Sequence, residues 1–454
     1  MSLKDRFVTA VRLPLSVGSR PSRVIVLCYA GFLTSAIAQV TPEPPAFDLS
    51  TAQATPTNAP GELLPLNTPA SAPAPRLGGT SQLAGPPPAG ALPAQALFQW
   101  GPIAFRPHVF YSLSYGNGFQ GAPGQQGNTL VNEIDPGILL QLGTHWTLDY
   151  TPTLRYYSSR LFQNTFDNRV TLTGGTAFGD WSLGLSQSYA SSSQPLVETA
   201  SQLDQETYST ALTATYRMST ALSLELAANQ NFQFLGQNTA AIGQLSDWRS
   251  WSTLDWLNYQ FWPNFGAAIG AGFEYDDVSV GPNMTSEQLQ GRITWRAGNK
   301  LNLVLSGGVQ DRQFLSSTVP DSVTPIFSLA AFYQLFEPTT LSLTASRTVS
   351  PAYFANQTTE STTVSAGVSQ RLLKRLLLSV NGTYGTTTYL ASTATPGPSI
   401  ASNLDSTSLN VSLSTTFLKR ATASIFYQLA YYSSASTIYN YSTTQEGLSL
   451  GYRF

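Results

Sequence analysis

The chain has 454 residues, of which 11% are charged and 42% hydrophobic, and its formal net charge is −2. Soluble proteins carry roughly 25% charged residues, so this composition disfavours a set of ordinary soluble domains. A charge balance near zero also lacks the basic footprint of a nucleic-acid-binding protein.

The first predicted element is a secretory signal peptide over residues 1–38. Basic residues precede the apolar run VIVLCYAGFLTSAIA, and Ala36 and Ala38 form a small-x-small cleavage site. The alternative is an N-terminal membrane anchor, for which a run of about fifteen residues is short. Cys28, the single cysteine, lies in this segment, so we expect the mature chain to have no disulfide and no thiol-based metal site.

The second predicted element is a disordered periplasmic linker over residues 39–100. It is rich in Pro and Ala, as in GPPPAGALP, carries few charges and has no sustained hydrophobic period. Such a segment cannot bury enough apolar surface to offset the entropy of ordering. A tether that binds peptidoglycan or a partner protein is the alternative interpretation.

From residue 101 to 454 the dominant hydrophobic period is two, which indicates β-strands. In HWTLDYTPTLRYYSS, for example, one face carries Trp146, Leu148 and Tyr150, and the other carries Thr147 and Asp149. The strands run about ten to fourteen residues, whereas soluble strands average five or six. A strand that crosses a bilayer at a tilt needs about nine to eleven, so the length indicates membrane-spanning strands.

The connections alternate between short turns, such as GT and GD, and longer polar segments such as GFQGAPGQQGNT. This alternation is typical of outer-membrane barrels, with tight periplasmic turns and longer outer loops. Within a bilayer only a closed sheet pairs every backbone group of a strand. The sequence therefore predicts an all-β membrane protein, a closed antiparallel transmembrane β-barrel of about eighteen strands, with sixteen as the alternative.

The last residues, LSLGYRF, read as the strand that closes the barrel, with Leu448, Leu450, Tyr452 and Phe454 facing lipid. A terminal Phe preceded by alternating apolar residues resembles the C-terminal signature of Gram-negative outer-membrane β-barrel proteins, and the whole chain is similar to a porin-like family of that class. The resemblance implies location in the bacterial outer membrane and contact with its lipid and lipopolysaccharide. It also implies recognition by the barrel-assembly machinery and a homotrimer as the oligomeric state to test.

Aromatic residues near both ends of the strands are predicted to form two girdles at the headgroup levels. Four other aromatic residues fall on the lumen face and are candidates for a sugar-stacking track: Phe110, Tyr157, Phe426 and Tyr432. Residues 248–261 interrupt the alternation, which predicts a β-bulge and leaves Asp255 without an assigned face.

Charged residues that alternation places on the lumen face are the candidate pore-lining groups. Both signs are present, so they either set ion preference or pair to brace the wall. These residues are Asp149, Arg155, Arg169, Arg217, Glu225, Glu274, Arg292, Arg312 and Arg371.

No catalytic role is predicted. The two histidines, His108 and His145, are placed toward the short-turn side and no nucleophile motif accompanies them. We therefore expect a protein without enzymatic activity or cofactor. The leading hypothesis is a porin-like channel for passive diffusion of small hydrophilic solutes. The alternatives are the barrel component of a polymer or exopolysaccharide export system, and a closed structural or adhesive barrel.

Overall fold

The computed structural model describes residues 98–122, 124–199, 201–236, 245–298, 300–315, 320–373, 375–391, 403–418 and 420–453. The predicted signal peptide, with Ala36 and Ala38, and residues 39–97 of the predicted linker lie outside the described residues, as does Phe454. The cleavage site, the disordered linker and the role of the terminal aromatic residue stay predictions.

The described residues form one sheet of 19 strands. In chain order the strands are β1 (Phe98–Trp100), β2 (Ile103–Ala122), β3 (Gln125–Leu142), β4 (Trp146–Tyr157), β5 (Thr165–Phe178), β6 (Trp181–Leu196), β7 (Ser201–Arg217), β8 (Leu222–Leu235), β9 (Trp248–Trp262), β10 (Phe265–Val278), β11 (Met284–Ala297), β12 (Leu301–Phe314), β13 (Ser322–Phe336), β14 (Thr339–Pro351), β15 (Gln357–Leu372), β16 (Leu376–Ala391), β17 (Asn403–Phe417), β18 (Ala421–Ser434) and β19 (Tyr441–Arg453). A short 3-10 helix, Thr437–Tyr439, lies between β18 and β19.

The sheet closes on itself. Each strand from β2 to β19 pairs antiparallel with its neighbours in the chain, and β19 pairs with β2 from Thr444↔Asn117 to Arg453↔His108. These strands form a closed 18-stranded antiparallel barrel, as the sequence predicts. Closure pairs the backbone groups that an open edge would leave without partners in lipid.

The sheet begins slightly earlier than the sequence predicts, because Phe98–Trp100 falls in the segment assigned to the linker. These residues form β1, which pairs with β2 through Phe98↔Phe105 and Trp100↔Ile103. The other edge of Ile103–Phe105 is occupied by β3. The pairing of β19 with β2 ends at Arg453↔His108, so β19 does not reach Ile103–Phe105. β1 occupies that remaining part of the same edge of β2.

Side chains alternate between an outer face and a lumen face along each strand. On β10, Ile269 is 60% exposed and Phe273 is also exposed, whereas Gly270 and Asp276 are buried. The same alternation places Leu448 and Leu450 of β19 on the outer face, with Ser449 and Gly451 on the lumen face. The predicted orientation of the closing strand is therefore confirmed for the residues that are described.

Two ends of the barrel differ in their connections, and we call them the short-turn end and the long-loop end. Short turns join β3 to β4 and β5 to β6, whereas the β8–β9 connection spans residues 236–247.

The predicted long loop between β2 and β3 is wrong. Most of that segment extends the ladder, with pairs such as Phe119↔Gly127 and Ala122↔Gln125.

The bulge predicted within residues 248–261 lies at their short-turn end, at Phe261. β9 pairs without interruption with β10 from Trp248↔Val278 to Gln260↔Gly266, and the register shifts only beside Phe261, at the short-turn end. The alternation in the sequence is broken because Leu254 and Trp256 point into the lumen and are buried. Asp255 lies on the outer face, where its carboxylate accepts a hydrogen bond from the Ala227 N–H (3.2 Å).

Aromatic pairs on the outer face lie near both ends of the wall. Trp181 and Tyr216 contact each other near the short turns, with ring centroids 4.7 Å apart. Tyr189 and Tyr208 do so nearer the long loops, at 4.8 Å. Amphipathic rings settle at the headgroup levels of a bilayer, so the two rows mark the limits of the apolar band. In the part of the chain that is described, no helix is both long and apolar enough to cross a membrane.

Candidate functional site

The lumen is lined mainly by Ser, Thr, Asn and Gln, and the exposure of its described residues differs between the two ends. Near the short-turn end, lumen-face residues such as Arg217 and Arg371 are exposed. Toward the long-loop end, lumen-face residues such as Ser250, Gln310 and Thr324 are buried. Since both sets face the same interior, the cavity is a funnel whose long-loop mouth is filled by protein.

The first element that fills the mouth is the β14–β15 hairpin. β13 stays paired with β12 up to Arg312↔Ser322, but the β13–β14 ladder ends at Phe327↔Arg347. β14 and β15 remain paired beyond that point, to Pro351↔Thr358. The wall therefore opens as a seam between β13 and β14, and residues 347–360, which we call the mouth hairpin, lean away from β13.

The tip of the mouth hairpin crosses to the connections on the opposite side of the seam. Phe354 forms an isolated β-bridge with Leu245, and Ser246 N–H donates to the Tyr353 carbonyl (2.9 Å). Asn356 N–H donates to the Val280 carbonyl at 3.4 Å. The two aromatic side chains are buried with four leucines, which pin the tip over the lumen: Leu196, Leu203, Leu235 and Leu245.

The second element is the β6–β7 connection. Val197 and Thr199 are 0% exposed, which is unusual for a surface loop. The loop reaches Tyr389 on β16, half the ring of strands away, and the Tyr389 hydroxyl hydrogen-bonds to the Glu198 carboxylate. Its apolar surroundings contain residues from both walls: Phe119, Phe162, Val197, Leu404, Ala430, Tyr432, Tyr439 and Tyr441.

Glu198 is a partly exposed residue whose carboxylate Oε2 atom is buried. Its Oε2 atom has no hydrogen-bond partner among the described residues. Burial raises the pKa of Glu198 from 4.5 to about 7, and the hydrogen bond from Tyr389 opposes that rise. The contact that closes the mouth is thus more stable when this carboxyl group is protonated.

Among the predicted pore-lining residues, Arg155 lies in a buried ion cluster on β3, β4 and β5. Its guanidinium contacts Glu133 Oε2 at 2.7 Å and Asp167 Oδ2 at 2.7 Å. Arg155 is 5% exposed, so these contacts neutralise a cation that has little access to water. The role that this cluster supports is bracing of the lumen wall.

We expect Arg155→Ala to destabilise the barrel by about 3–5 kcal/mol, because removing one partner leaves two buried carboxylates uncompensated. Thermal unfolding in detergent, followed by circular dichroism and by heat-modifiable gel mobility, would measure the loss. Arg169→Ala is the matched control, since Arg169 lies on the lumen face of the adjacent strand but is exposed. Equal stability of the two variants would contradict a bracing role for Arg155.

Two other predicted residues, Glu225 and Arg292, form a second ion pair across β9 and β10. Arg292 Nη2 lies 2.6 Å from Glu225 Oε2 and donates to Asn258 Oδ1 at 2.6 Å. The guanidinium also stacks on Trp256, with its Cζ atom 4.2 Å from the ring centroid. That ring lies over Gly270, where a Cβ atom would come within 2.6 Å of it.

The third group surrounds Arg312 and joins the wall to the mouth hairpin. Arg312, itself buried, faces Asp276 and Glu274 on the wall and Glu360 on the hairpin. Glu360 in turn contacts Arg347 at 2.8 Å and accepts from the Thr324 hydroxyl at 3.1 Å. The hairpin is therefore held to the lumen face of the wall by opposite charges.

The remaining predicted residues lie on the lumen face, with Arg169 near the middle of the wall and Asp149, Arg217 and Arg371 toward the short-turn end. Asp149 accepts a hydrogen bond from the Thr151 hydroxyl (2.7 Å), which also contacts His108 Nε2 at 3.2 Å. Arg169, Arg217 and Arg371 are exposed to the open part of the funnel. The structure brings none of these four into the three charged groups described above.

Sequence reasoning missed several charged residues of the lumen. Glu133, Asp167 and Asp276 share faces with polar residues that alternation already places inward, so the same signal could have found them. Arg347 and Glu360 could not be found in this way. Alternation places them on the outer face, and they reach the interior only because the mouth hairpin leans inward.

A closed 18-stranded antiparallel barrel with an apolar outer face, aromatic girdles and a polar lumen has the architecture of a transmembrane β-barrel. In the described residues, no group of three or more His, Cys, Asp or Glu is arranged to hold a metal ion.

Comparison with known proteins gives matches among solved structures alone. No family model and no curated protein matches the sequence. The outer membrane protein OpdK from Pseudomonas aeruginosa is similar with a TM-score of 0.41 and 12% identity, over 77% of this chain and 98% of that one. OccK2 (OpdF) from the same organism has a TM-score of 0.43 and 10% identity, over 77% and 98%.

The copper transporter OprC is similar with a TM-score of 0.39 and 11% identity over 75% of this chain, which spans 62% of the length of OprC. At these scores and identities the likenesses do not bear on what this barrel does.

Proposed function

We propose that this protein is an outer-membrane channel for passive diffusion of small hydrophilic solutes, with a long-loop mouth that opens and closes. The supporting observation is the funnel-shaped polar lumen, which is filled by inward-folded connections at one mouth and open at the other. At this strand number the interior of a barrel is wide enough for water. The mouth is closed by connections and not by side chains packed along the whole lumen. A solute pathway can therefore open when these connections move.

The charged groups of the lumen are proposed to set its shape and selectivity. Arg155, Glu225, Arg292 and Arg312 are compensated by opposite charges at short range, which favours a weak overall ion preference. Three exposed arginines line the open part of the funnel and would favour anions there: Arg169, Arg217 and Arg371. We infer no enzymatic activity.

Conductance of the purified barrel in planar bilayers tests this proposal. We expect discrete current steps in salt, with the wild-type channel closed for much of the time. Liposome swelling with neutral solutes of increasing size would then give the cutoff of the open state. A barrel that stays silent, even after the mouth hairpin is shortened, would contradict the channel function.

The filled mouth also favours a second candidate, a closed structural or adhesive barrel, for which permanent silence is the expected result. An export conduit, docked through the Pro-rich linker, is a third candidate from the sequence. Capture of a periplasmic partner by the isolated linker would support it over diffusion.

We further propose that the barrel-assembly machinery recognises Leu448, Leu450, Tyr452 and Phe454. The outer face of this strand carries exposed leucines in the predicted pattern. Phe454→Ser is expected to lower the amount of folded barrel in the outer membrane severalfold, measured by heat-modifiable mobility of membrane fractions.

A homotrimer is the proposed oligomeric state, and chemical cross-linking in intact membranes would test it. Lipopolysaccharide is a proposed contact of the outer rim.

A further inference from the structure

One sector of the lumen wall, made by β18, β19 and β2, carries aromatic and hydroxyl-bearing rows in alternation. These three strands are neighbours in the ring because β19 closes the barrel onto β2. The sector runs from the buried Gln445 toward the exposed Arg453 at the short-turn end. We call it the closing-strand wall.

Two phenyl rings on this wall lie against glycines of β19. Phe110 pairs with Gly451, and a Cβ atom at Gly451 would come within 2.6 Å of the ring. Phe426 pairs with Gly447, where a Cβ atom would come within 2.8 Å of that ring. Glycine at both positions leaves room for a ring to approach the strand closely.

A row of three serines separates the two rings. Ser449 of β19 lies directly between the glycines, and its register partners are Ser424 on β18 and Ser112 on β2. Ser424 and Ser449 hydroxyls are 2.6 Å apart. The glycines are four residues apart, so the two rings are separated by about 13 Å along the strand, with hydroxyl groups between them.

Polar groups of other kinds limit the wall above and below. Above Phe426, Gln445 pairs with Gln428 and donates to the Ser114 hydroxyl at 3.0 Å. The Arg453 guanidinium lies over the Phe110 ring with its Cζ atom 5.7 Å from the centroid, farther than the 4.2 Å that separates Arg292 from Trp256. In the described part of this wall no carboxylate faces the lumen, but charges of both signs border it, since Asp135 of β3 is the register partner of Phe110 and Arg453 lies at the lower end.

The two other aromatic candidates of the lumen face do not join this wall. Tyr157 packs against the apolar cluster of the mouth, and Tyr432 is buried within that cluster. Trp256, which alternation did not select, has its face covered by Arg292. Phe110 and Phe426 therefore remain as the rings of the predicted stacking track that line the open funnel.

We propose that the closing-strand wall binds saccharides built of linked pyranose rings. A pyranose has apolar C–H faces that stack on a phenyl ring and equatorial hydroxyls that hydrogen-bond to Ser and Gln, which matches the alternation of rows. The inference rests on the proposed function only in that the ligand reaches the wall through the lumen. It names saccharides as the solute class of that channel.

Binding in detergent tests this inference without requiring transport. Maltotriose would be titrated into the purified barrel in a detergent without a sugar headgroup, with calorimetry for the Kd and saturation-transfer NMR for the contact protons. Phe110→Ala and Phe426→Ala are each expected to weaken binding about tenfold, which corresponds to about 1.4 kcal/mol. Phe110→Tyr keeps a flat ring and is expected to bind like the wild type.

The matched control is Phe332→Ala, because Phe332 is an exposed phenyl on the lumen face of β13, away from this wall. It should leave the Kd unchanged. Heat-modifiable mobility of each variant would confirm that the barrel is folded. Sorbitol, which has hydroxyls but no ring face, should not compete.

Three results would overturn the inference: no maltotriose binding by the wild type, a Kd unaffected by both substitutions, or equal loss in Phe332→Ala. None of these would remove the channel proposal, which depends on conductance. Conversely, a silent barrel that binds maltotriose through Phe110 and Phe426 would keep the saccharide wall and exclude free diffusion.

Discussion

Removing the tip of the mouth hairpin is expected to raise the open probability and the single-channel conductance severalfold. The change replaces Ala352–Asn356 by two glycines that join Pro351 to Gln357. It removes the Phe354 bridge to Leu245 and the backbone bond from Ser246 to Tyr353, which hold the tip across the lumen. The wall should survive, because the β13–β14 ladder already ends at Arg347 and the deleted residues lie outside both strands.

A milder variant separates loss of the tip from loss of its packing. Phe354→Asp introduces a charge among the leucines of the tip cluster, where an unpaired charge is strongly disfavoured, so the tip should leave the lumen. Leu315→Asp is the matched control, since Leu315 is exposed at the same end of the barrel. Current recordings should show frequent opening for the first variant and wild-type behaviour for the second. If both deletion and Phe354→Asp leave the current unchanged, the hairpin does not close the channel.

The barrel itself could be predicted because its determinants are local. Alternation along one strand fixes the face of each residue, and in lipid the closed sheet is the one arrangement of strands that pairs every backbone group. The orientation of Leu448 and Leu450 followed from this alone. The rule that large apolar side chains face lipid failed at Leu254 and Trp256. Such a side chain can also pack inside the lumen when a neighbour such as Gly270 leaves room for it.

The closed mouth could not be predicted, because it depends on contacts between distant parts of the chain. Glu360 lies on the outer face by alternation, yet it contacts Thr324 on the lumen side once the hairpin tilts. Glu198 is an ordinary loop residue in the sequence, and its burial depends on Tyr389 from the opposite wall. Likewise, alternation places Phe110 and Phe426 on the lumen face. Only the cross-strand register shows that each of them lies beside a glycine of β19.

The closed mouth is expected to open as the pH rises through about 7 and to close as it falls, because of Glu198. Burial raises the pKa of this carboxyl group from 4.5 to about 7 in the loop-in state. The protonated form therefore stabilises closure fully below about pH 4.5, and that stabilisation is lost as the pH rises through about 7. The difference between the two pKa values corresponds to about 3 kcal/mol, enough to change the ratio of open to closed channels by about 300-fold.

The groups that face Glu198 do not oppose this direction. The Tyr389 hydroxyl donates to the carboxylate from β16, and Tyr439 approaches from the 3-10 helix between β18 and β19. Both are neutral phenols in the relevant range, since burial raises the pKa of Tyr439 further above its ordinary value. The contact between the β6–β7 connection and β16 therefore changes its charge through Glu198 itself.

Current recordings at about pH 5 and about pH 8, on wild type and Glu198→Gln, measure the effect. The amide is neutral and isosteric with the protonated acid, so Glu198→Gln should stay mostly closed at both values. Glu287→Gln is the matched control, because Glu287 lies on the outer face of β11 and is exposed. It should keep the wild-type pH dependence. A pH response that persists unchanged in Glu198→Gln would assign the titrating group elsewhere, and the β6–β7 loop would then close the mouth by packing alone.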